Sequence, residues 1–421
     1  MSDKLKILMV DKYYFIKGGA ERYYFELAKL LEAHGHEVIP FSMHHPENFE
    51  TEYSDYFVDF IDYNNSLIKK NFGQSFKIAG RMLYSTHAKR KLEALIKKVK
   101  PDLAHLHMID HQISPSILHT LKNYEIPVMQ TVHQYKLVCP NYRLYNARTN
   151  TICEKCIAGN YLHPIVERCH KNSIAAGLLL SLEMYVHHFL KIYDNIDLFH
   201  TPSEFMKVKL VEGGIDEKKI TKLFYTLNID EYPFTQEYGE HFVYYGRLSE
   251  EKGILTLLQA MKGINKSKLL IIGNGPQESE LKEFCAANDL KNVEFLGRKE
   301  GEELKSIVAK AKFAIVPSEW YDNSPLVIYE AFSMGTPVVG AKIGGIAELV
   351  DHEINGLLFE VGNVRELRVA ISRLLDNSGL IERFGANARE KAEKEFSPAF
   401  HYEQIMTLYH KVLNKSEHVL N

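Results

Sequence analysis

VPSEWYDNSPLVIYEAFSMGTPVVG, residues 316–340, runs from the end of one strand through a loop and a helix into the next strand. The apolar FAIVPS (313–318) reads as a strand and EWYDNS as the loop that follows it. Pro325 suits the first position of a helix, because its fixed φ and missing N–H cost nothing there. TPVVGA (336–341) is the next strand. A strand, a helix and a strand in so short a stretch predict a parallel pair joined by a crossover helix.

The same alternation extends in both directions. HFVYYGR (241–247), KLLIIGN (268–274), NVEFLG (292–297) and GLLFE (356–360) complete one set of strands. KILMV (6–10), EVIPFS (37–42), LAHLH (103–107), PVMQTV (127–132) and LFHTPS (198–203) form another. Between them lie amphipathic patterns such as GGAERYYFELAKLLEAHG (18–35), in which Gly35 fits a C-cap. The turn-rich NIDEYPFTQEYGEH (228–241) separates the two sets. The expected fold class is therefore α/β, with two Rossmann-like doubly wound domains facing each other across a cleft. Residues 1–200 form the first domain, with an insertion at 139–169, and 201–397 form the second. Residues 398–421 form a C-terminal helix that returns to the first.

A length of 421 residues supports two such cores, and 45 % hydrophobic with 25 % charged residues is an ordinary globular composition. A formal net charge of −3 gives no reason to expect a nucleic-acid partner. The opening MSDKLKILMVDKYY has too short an apolar run for a secretion signal. The run Ile174 to Leu182 is too short to span a membrane and is followed by Glu183. A cytoplasmic protein with reduced thiols is the expectation.

Ligands of doubly wound domains bind at the carboxyl ends of the strands, and polar or glycine-rich residues gather there. Gly18 and Gly19 open a helix after the first strand, where backbone N–H groups can approach a phosphate. Arg247 leaves one strand and Lys252 sits five residues on, two cations suited to a diphosphate. Asp322 and Glu330 offer carboxylates to sugar and ribose diols, and the N–H groups of Leu326 and Val327 lie free in a first helical turn. Glu330 sits inside the apolar LVIYEAF, where a surface charge is out of place. His107 and His133 close adjacent strands and point to the same cleft.

Arg247 and Lys252, followed by D-x7-E in WYDNSPLVIYEAFSMGTPVV and by AKIGGIAELVDHEINGLLF, resemble the donor half of glycosyltransferase family 4, retaining enzymes of the GT-B fold. The resemblance implies a hexosyltransferase-type enzyme of cell-surface polysaccharide or glycolipid synthesis, with an N-terminal acceptor domain and a C-terminal domain for a UDP- or GDP-sugar. Glu330 then binds the ribose, Arg247 and Lys252 the diphosphate, and Asp322 with Asn323 and Ser324 the transferred sugar. Gly273, Asn274 and Gly275 of GNGP, and Gly297 of FLGRKEGEEL, resemble the family's loops around the diphosphate and base. The second histidine of H-x-H, His107, faces the sugar and acceptor, with His133 beside it. The family usually has Glu where this chain has Asp322, one methylene shorter. With no Asp-x-Asp to hold Mg²⁺, catalysis is expected to be independent of metal. A non-catalytic nucleotide-sugar-binding scaffold and a GT-B epimerase are the alternatives.

Two features stand outside that pattern. Residues 64–100 carry ten Lys and Arg against one acid, Glu93. In IKKNFGQSFKIAGRMLY (68–84) the cations alternate with apolar residues, which suits an anionic membrane at the inner face of the plasma membrane, where family members often meet lipid-linked acceptors. Four of the five cysteines fall in the spacing Cys139-x13-Cys153-x2-Cys156-x12-Cys169, a pattern able to wrap a structural Zn²⁺, with His163 and His170 as substitutes. Because the segment begins six residues after His133, such a zinc clasp is expected to shape the acceptor pocket.

Overall fold

The computed structural model describes residues 4–61 and 72–417. Lys69 and Lys70, part of the basic run, lie outside the described residues. Two six-stranded sheets, all parallel, form the centres of two layered α/β units.

The first sheet contains β1 (Lys6–Val10), β2 (Glu37–Phe41), β3 (Leu103–Leu106) and β4 (Val128–Thr131). A small antiparallel hairpin, β5 (Tyr145–Asn146) with β6 (Thr151–Ile152), stands apart from it. Two more strands, β7 (Leu198–Thr201) and β8 (Ile220–Lys222), complete the sheet in the order β2-β1-β3-β4-β7-β8. The boundary expected between residues 200 and 201 is thus misplaced: it cuts β7, and β8 extends the first sheet to Lys222. The strand was missed because ITK is three residues long and mostly polar.

The second sheet holds β9 (His241–Tyr245), β10 (Lys268–Ile272), β11 (Val293–Gly297), β12 (Ala314–Val316), β13 (Val338–Ala341) and β14 (Gly356–Phe359). Its order is β11-β10-β9-β12-β13-β14. Renumbered within the domain this is 3-2-1-4-5-6, the Rossmann order, with a topological switch between β9 and β12. In the first sheet the switch falls between β1 and β3. The strands read clearly as apolar runs because helices cover both faces of each sheet: Ile7 to Val10 and Phe242 to Tyr245 are all buried.

The Gly19–Ala33 helix buries Tyr23, Tyr24, Leu27, Ala28 and Leu31, positions that helical spacing puts on one face. The Pro398–Glu417 helix contacts the first domain through His401 and Tyr409. Tyr409 Oη lies 2.8 Å from His105 Nδ1, and His401 Nε2 lies 3.0 Å from Tyr23 Oη.

Candidate active site

At the second-domain switch, the loop after β9 meets the loop after β12. Gly246 and Gly273 follow neighbouring strands whose backbones touch: a Cβ on Gly273 would stand 1.9 Å from the Gly246 carbonyl oxygen, and its φ is +137°. Gly275 is crowded in the same way by the Leu248 carbonyl. Glycine is obligatory in this GNGP turn because two loops share the space. Asn274 and Arg247 are exposed at the rim, and Gly297 ends β11 with φ +68°.

Lys252 Nζ donates to Asp322 Oδ2 at 2.5 Å, and Ser318 Oγ donates to the same oxygen at 3.2 Å. The cation expected for a diphosphate and the acid expected for a sugar therefore form one pair. Lys252 also lies 5.3 Å from the centre of the Trp320 ring.

Leu326 begins the helix Leu326–Ser333, with Pro325 as its N-cap rather than its first residue. Leu326 and Val327 are half-buried in the first turn, whose N–H groups lack acceptors within the helix. Gly19, just after the extended N-cap Gly18, faces Leu326 across the cleft, with 3.4 Å left for an added Cβ. The two helix N-termini thus confront each other.

Glu330 is buried and is paired with Arg22 of the first domain through Oε1, while Arg22 also donates to Tyr232 Oη. Burial raises the Glu330 pKa and the guanidinium pulls it only partly back, leaving it above the ordinary value. Arg22 and Tyr232 were not singled out in the sequence. Arg22 had a signal, since it lies one helical turn after Gly18 in the first glycine loop.

Asn323 joins the domains, whereas Ser324 bonds within its own. Asn323 Oδ1 accepts from Ser203 Oγ at 2.9 Å, and its Nδ2 donates to the Val132 carbonyl at 3.3 Å. Ser324 Oγ lies 2.6 Å from Tyr329 Oη. Glu348 of the second domain caps the Glu204–Glu212 helix of the first, accepting from the N–H groups of Glu204 and Phe205 at 2.8 and 2.7 Å.

His107 and His133 do come together. Nδ1 of His107 lies 2.9 Å from Nε2 of His133, whose Nδ1 lies 2.7 Å from Tyr225 Oη. Burial depresses both rings, His133 to about 3, so both are neutral at physiological pH. His107 Nε2 has no protein partner and borders a small enclosed cavity with Asp110, Gln130 and Lys136. Three further residues crowd this side: Asp11, Lys12 and Glu21. Burial opposes the Lys12 charge, but Asp110, Tyr13 and Asp11 outweigh it and raise its pKa. Burial also drives Asp11 and Glu21 upward. Their signal was the polar Asp11–Lys12 pair directly after an apolar strand.

The 139–169 insertion reaches the donor loop. Arg143 pairs with Glu251 at 2.6 Å and lies 4.9 Å from the Trp320 ring centre, so two cations flank one indole. The four cysteines are free thiols. They are near enough to raise one another's pKa, after burial, yet among the described residues no three His, Cys, Asp or Glu side chains are placed to hold a metal ion. The expected zinc clasp is therefore not supported. Cys139 Sγ contacts Asn141 Oδ1 at 3.0 Å, and Cys156 packs in a small core with Tyr161 and Met184. The segment is polar in sequence, but it borrows Met184 from the next helix to bury a thiol.

This geometry has parallels among known proteins. Residues 17–223 match the model of Glycosyltransferase Family 4, and residues 230–391 that of Glycosyl transferases group 1. An uncharacterized glycosyltransferase of Methanocaldococcus jannaschii is 30 % identical over 214 residues, 48 % of this chain and 52 % of the relative. The amylovoran biosynthesis glycosyltransferase AmsK of Erwinia amylovora is 29 % identical over 176 residues, 39 % of this chain and 43 % of AmsK. The chain thus spans about half the length of these relatives. Among solved structures, HepE of Anabaena in complex with UDP superposes with a TM-score of 0.69 at 16 % identity, covering 97 % of this chain and 100 % of that one. The fold and the paired switch points define the two-domain GT-B architecture. The chain belongs to the family-4 type of glycosyltransferases.

Proposed function

We propose that this protein transfers a sugar, with retention of configuration, from a nucleoside-diphosphate sugar to a glycan or lipid-linked acceptor in cell-surface polysaccharide synthesis. The observation that carries the reading is the Lys252–Asp322 pair in the loops after β9 and β12, together with the Arg22–Glu330 pair that links the domains and the His107–His133 contact in the first domain. UDP in the HepE complex and the amylovoran biosynthesis named for AmsK support it.

In this reading Glu330 accepts the ribose hydroxyls through Oε2, since Arg22 engages Oε1. Arg247, Lys252 and the N–H groups of Leu326 and Val327 neutralise the diphosphate as the bond from sugar C1 to the β-phosphate oxygen breaks. Gly18, Gly19, Gly273, Asn274, Gly275 and Gly297 line the approach. The acceptor oxygen bonds to C1 on the face the diphosphate leaves, and its proton passes to the departing phosphate oxygen. Asp322 is held by Lys252 and Ser318, so its carboxylate is fixed for the sugar hydroxyls despite the shorter side chain. His107, neutral and with a free Nε2, orients sugar and acceptor.

Titration calorimetry with UDP and GDP, followed by hydrolysis of the matching UDP- or GDP-sugars, tests the reading. Binding with slow donor hydrolysis is expected. Binding without turnover of any donor would support the scaffold alternative instead.

A further inference from the structure

The helix Ile174–Phe189, which follows the cysteine-rich insertion, is mostly apolar yet only half covered. Gly177, Leu180, Met184 and His187 face inward. Ile174, Leu178, Leu182, Tyr185 and Phe189 are exposed, Phe189 by 87 %. Their spacing of four, four, three and four residues puts them on one stripe. Val166 of the neighbouring His163–Glu167 helix adds to it, 74 % exposed. The helix cannot roll to hide this stripe. A Cβ on Gly177 would stand 2.4 Å from the Pro164 carbonyl, His187 Nε2 lies 2.8 Å from the Leu83 carbonyl, and buried Glu183 accepts from Lys136 at 2.6 Å. A helix hydrophobic on both faces belongs in a core or against something else. An exposed patch of this kind marks an interaction surface.

We propose that this stripe docks on the surface of an anionic lipid bilayer. The charge distribution selects this occupant. From Ile174 to Leu190 the sole ionisable acid or strong base is Glu183, which is turned inward. Exposed Arg168 and Lys191 stand at the two ends of the stripe; of the nearby acids, Glu167 is paired with Lys155 and exposed Asp194 lies three residues beyond Lys191, past the end of the stripe. An apolar middle between cationic ends matches acyl chains bordered by anionic head groups. The helix has 16 residues, and no helix among the described residues is long and apolar enough to cross a membrane, so it lies along the surface. The surface differs from the basic run at 64–100. There Arg81 donates to the Asp59 carbonyl and Lys91 to the Asp55 carbonyl.

Docking here serves the proposed transfer reaction, on which its use rests. Glu183 holds Lys136, and Lys136 lines the cavity beside His107, so one helix separates the bilayer from the acceptor side.

Flotation of the full chain with phosphatidylcholine vesicles, with and without phosphatidylglycerol, tests the proposal. The wild type is expected to float with the phosphatidylglycerol vesicles. Leu178→Ser/Leu182→Ser/Phe189→Ser should weaken partitioning about 100-fold, as three half-inserted apolar side chains are lost. Arg168→Glu/Lys191→Glu should remove the preference for phosphatidylglycerol, by about 10-fold or more. These side chains are exposed, so UDP binding by calorimetry and the melting midpoint should not change in either variant. Flotation with neither vesicle, or equal flotation of wild type and triple variant, overturns the proposal. So does a wild-type dimer that the triple variant converts to monomer. Loss of UDP binding with flotation intact strikes the transferase reading alone.

Discussion

Replacing Glu330 by Gln keeps the shape of the side chain and removes one charge. In the free protein Arg22 contacts Oε1, which leaves Oε2 for a ribose hydroxyl without breaking the pair. Glu330 is 8 % exposed, so its bond to the ribose forms in a sheltered site. A hydrogen bond to a charged group contributes about 1.5–3 kcal/mol, which corresponds to a UDP Kd about 10- to 150-fold weaker in Glu330→Gln. Loss of the ion pair itself adds at most about 1 kcal/mol of destabilisation, because a third of Arg22 is in water. The carboxylate form is the one that binds ribose, and its pKa is raised. Wild-type affinity therefore falls on acidification through that raised pKa, and Glu330→Gln should lose this dependence. Calorimetry with UDP and 2′-deoxy-UDP supplies the cycle. The wild type should discriminate against the deoxy nucleotide, while the variant should hardly distinguish the two. A Kd within twofold of wild type, or equal deoxy penalties in both proteins, would refute the assignment of Glu330 to the ribose.

Lys252→Ala should lower kcat by about 10²–10³, as expected for loss of a preorganised charge at a leaving group, with partial recovery in Lys252→Arg; steady-state kinetics on the donor that turns over checks this. His105, His107, His200 and His401 are buried and depressed, His200 to about 4 and His401 to about 3. The unfolded chain takes up protons near pH 6.5 that the folded rings refuse, so their contribution is complete above 6.5 and is lost as the pH falls toward the folded values. At pH 5 the loss is about 2 kcal/mol for each of His200 and His401, and melting midpoints measured from pH 8 to pH 5 should drop steeply; a flat profile contradicts it. Lys136→Met leaves Glu183 charged in the interior with only His111, 3.4 Å from its other oxygen, beside it, and should cost about 3 kcal/mol. Lys136→Met/Glu183→Leu should recover most of that, as read by chemical denaturation.

The strands of both sheets were legible because strands covered on two faces are written as unbroken apolar runs. The exception, β8, lies at a sheet edge and is too short and polar to form one. Gly273 and Gly275 stand out in the sequence, and the structure gives their glycine a steric reason, the contact of two loop backbones. What stayed hidden depends on the meeting of the domains. Nothing local ties Arg22 to Glu330, separated by 308 positions, or Arg143 to Glu251. Asn323 belongs to a loop that read as sugar-facing, yet its amide is spent on Ser203 and the Val132 carbonyl. Cysteine spacing suggested a metal clasp because spacing records neither where side chains point nor that Met184, fifteen residues past Cys169, would complete a small core around Cys156.

The central claim is tested most directly by sugar transfer itself. Purified protein is incubated with radiolabelled UDP- and GDP-sugars and a membrane lipid extract, and nucleotide release, label in product and anomeric configuration are measured together. One donor should give nucleotide and labelled product in equal amounts, with the configuration of the donor retained and the yield sharply reduced in Lys252→Ala. An inverted product, or transfer unaffected by Lys252→Ala, would contradict it.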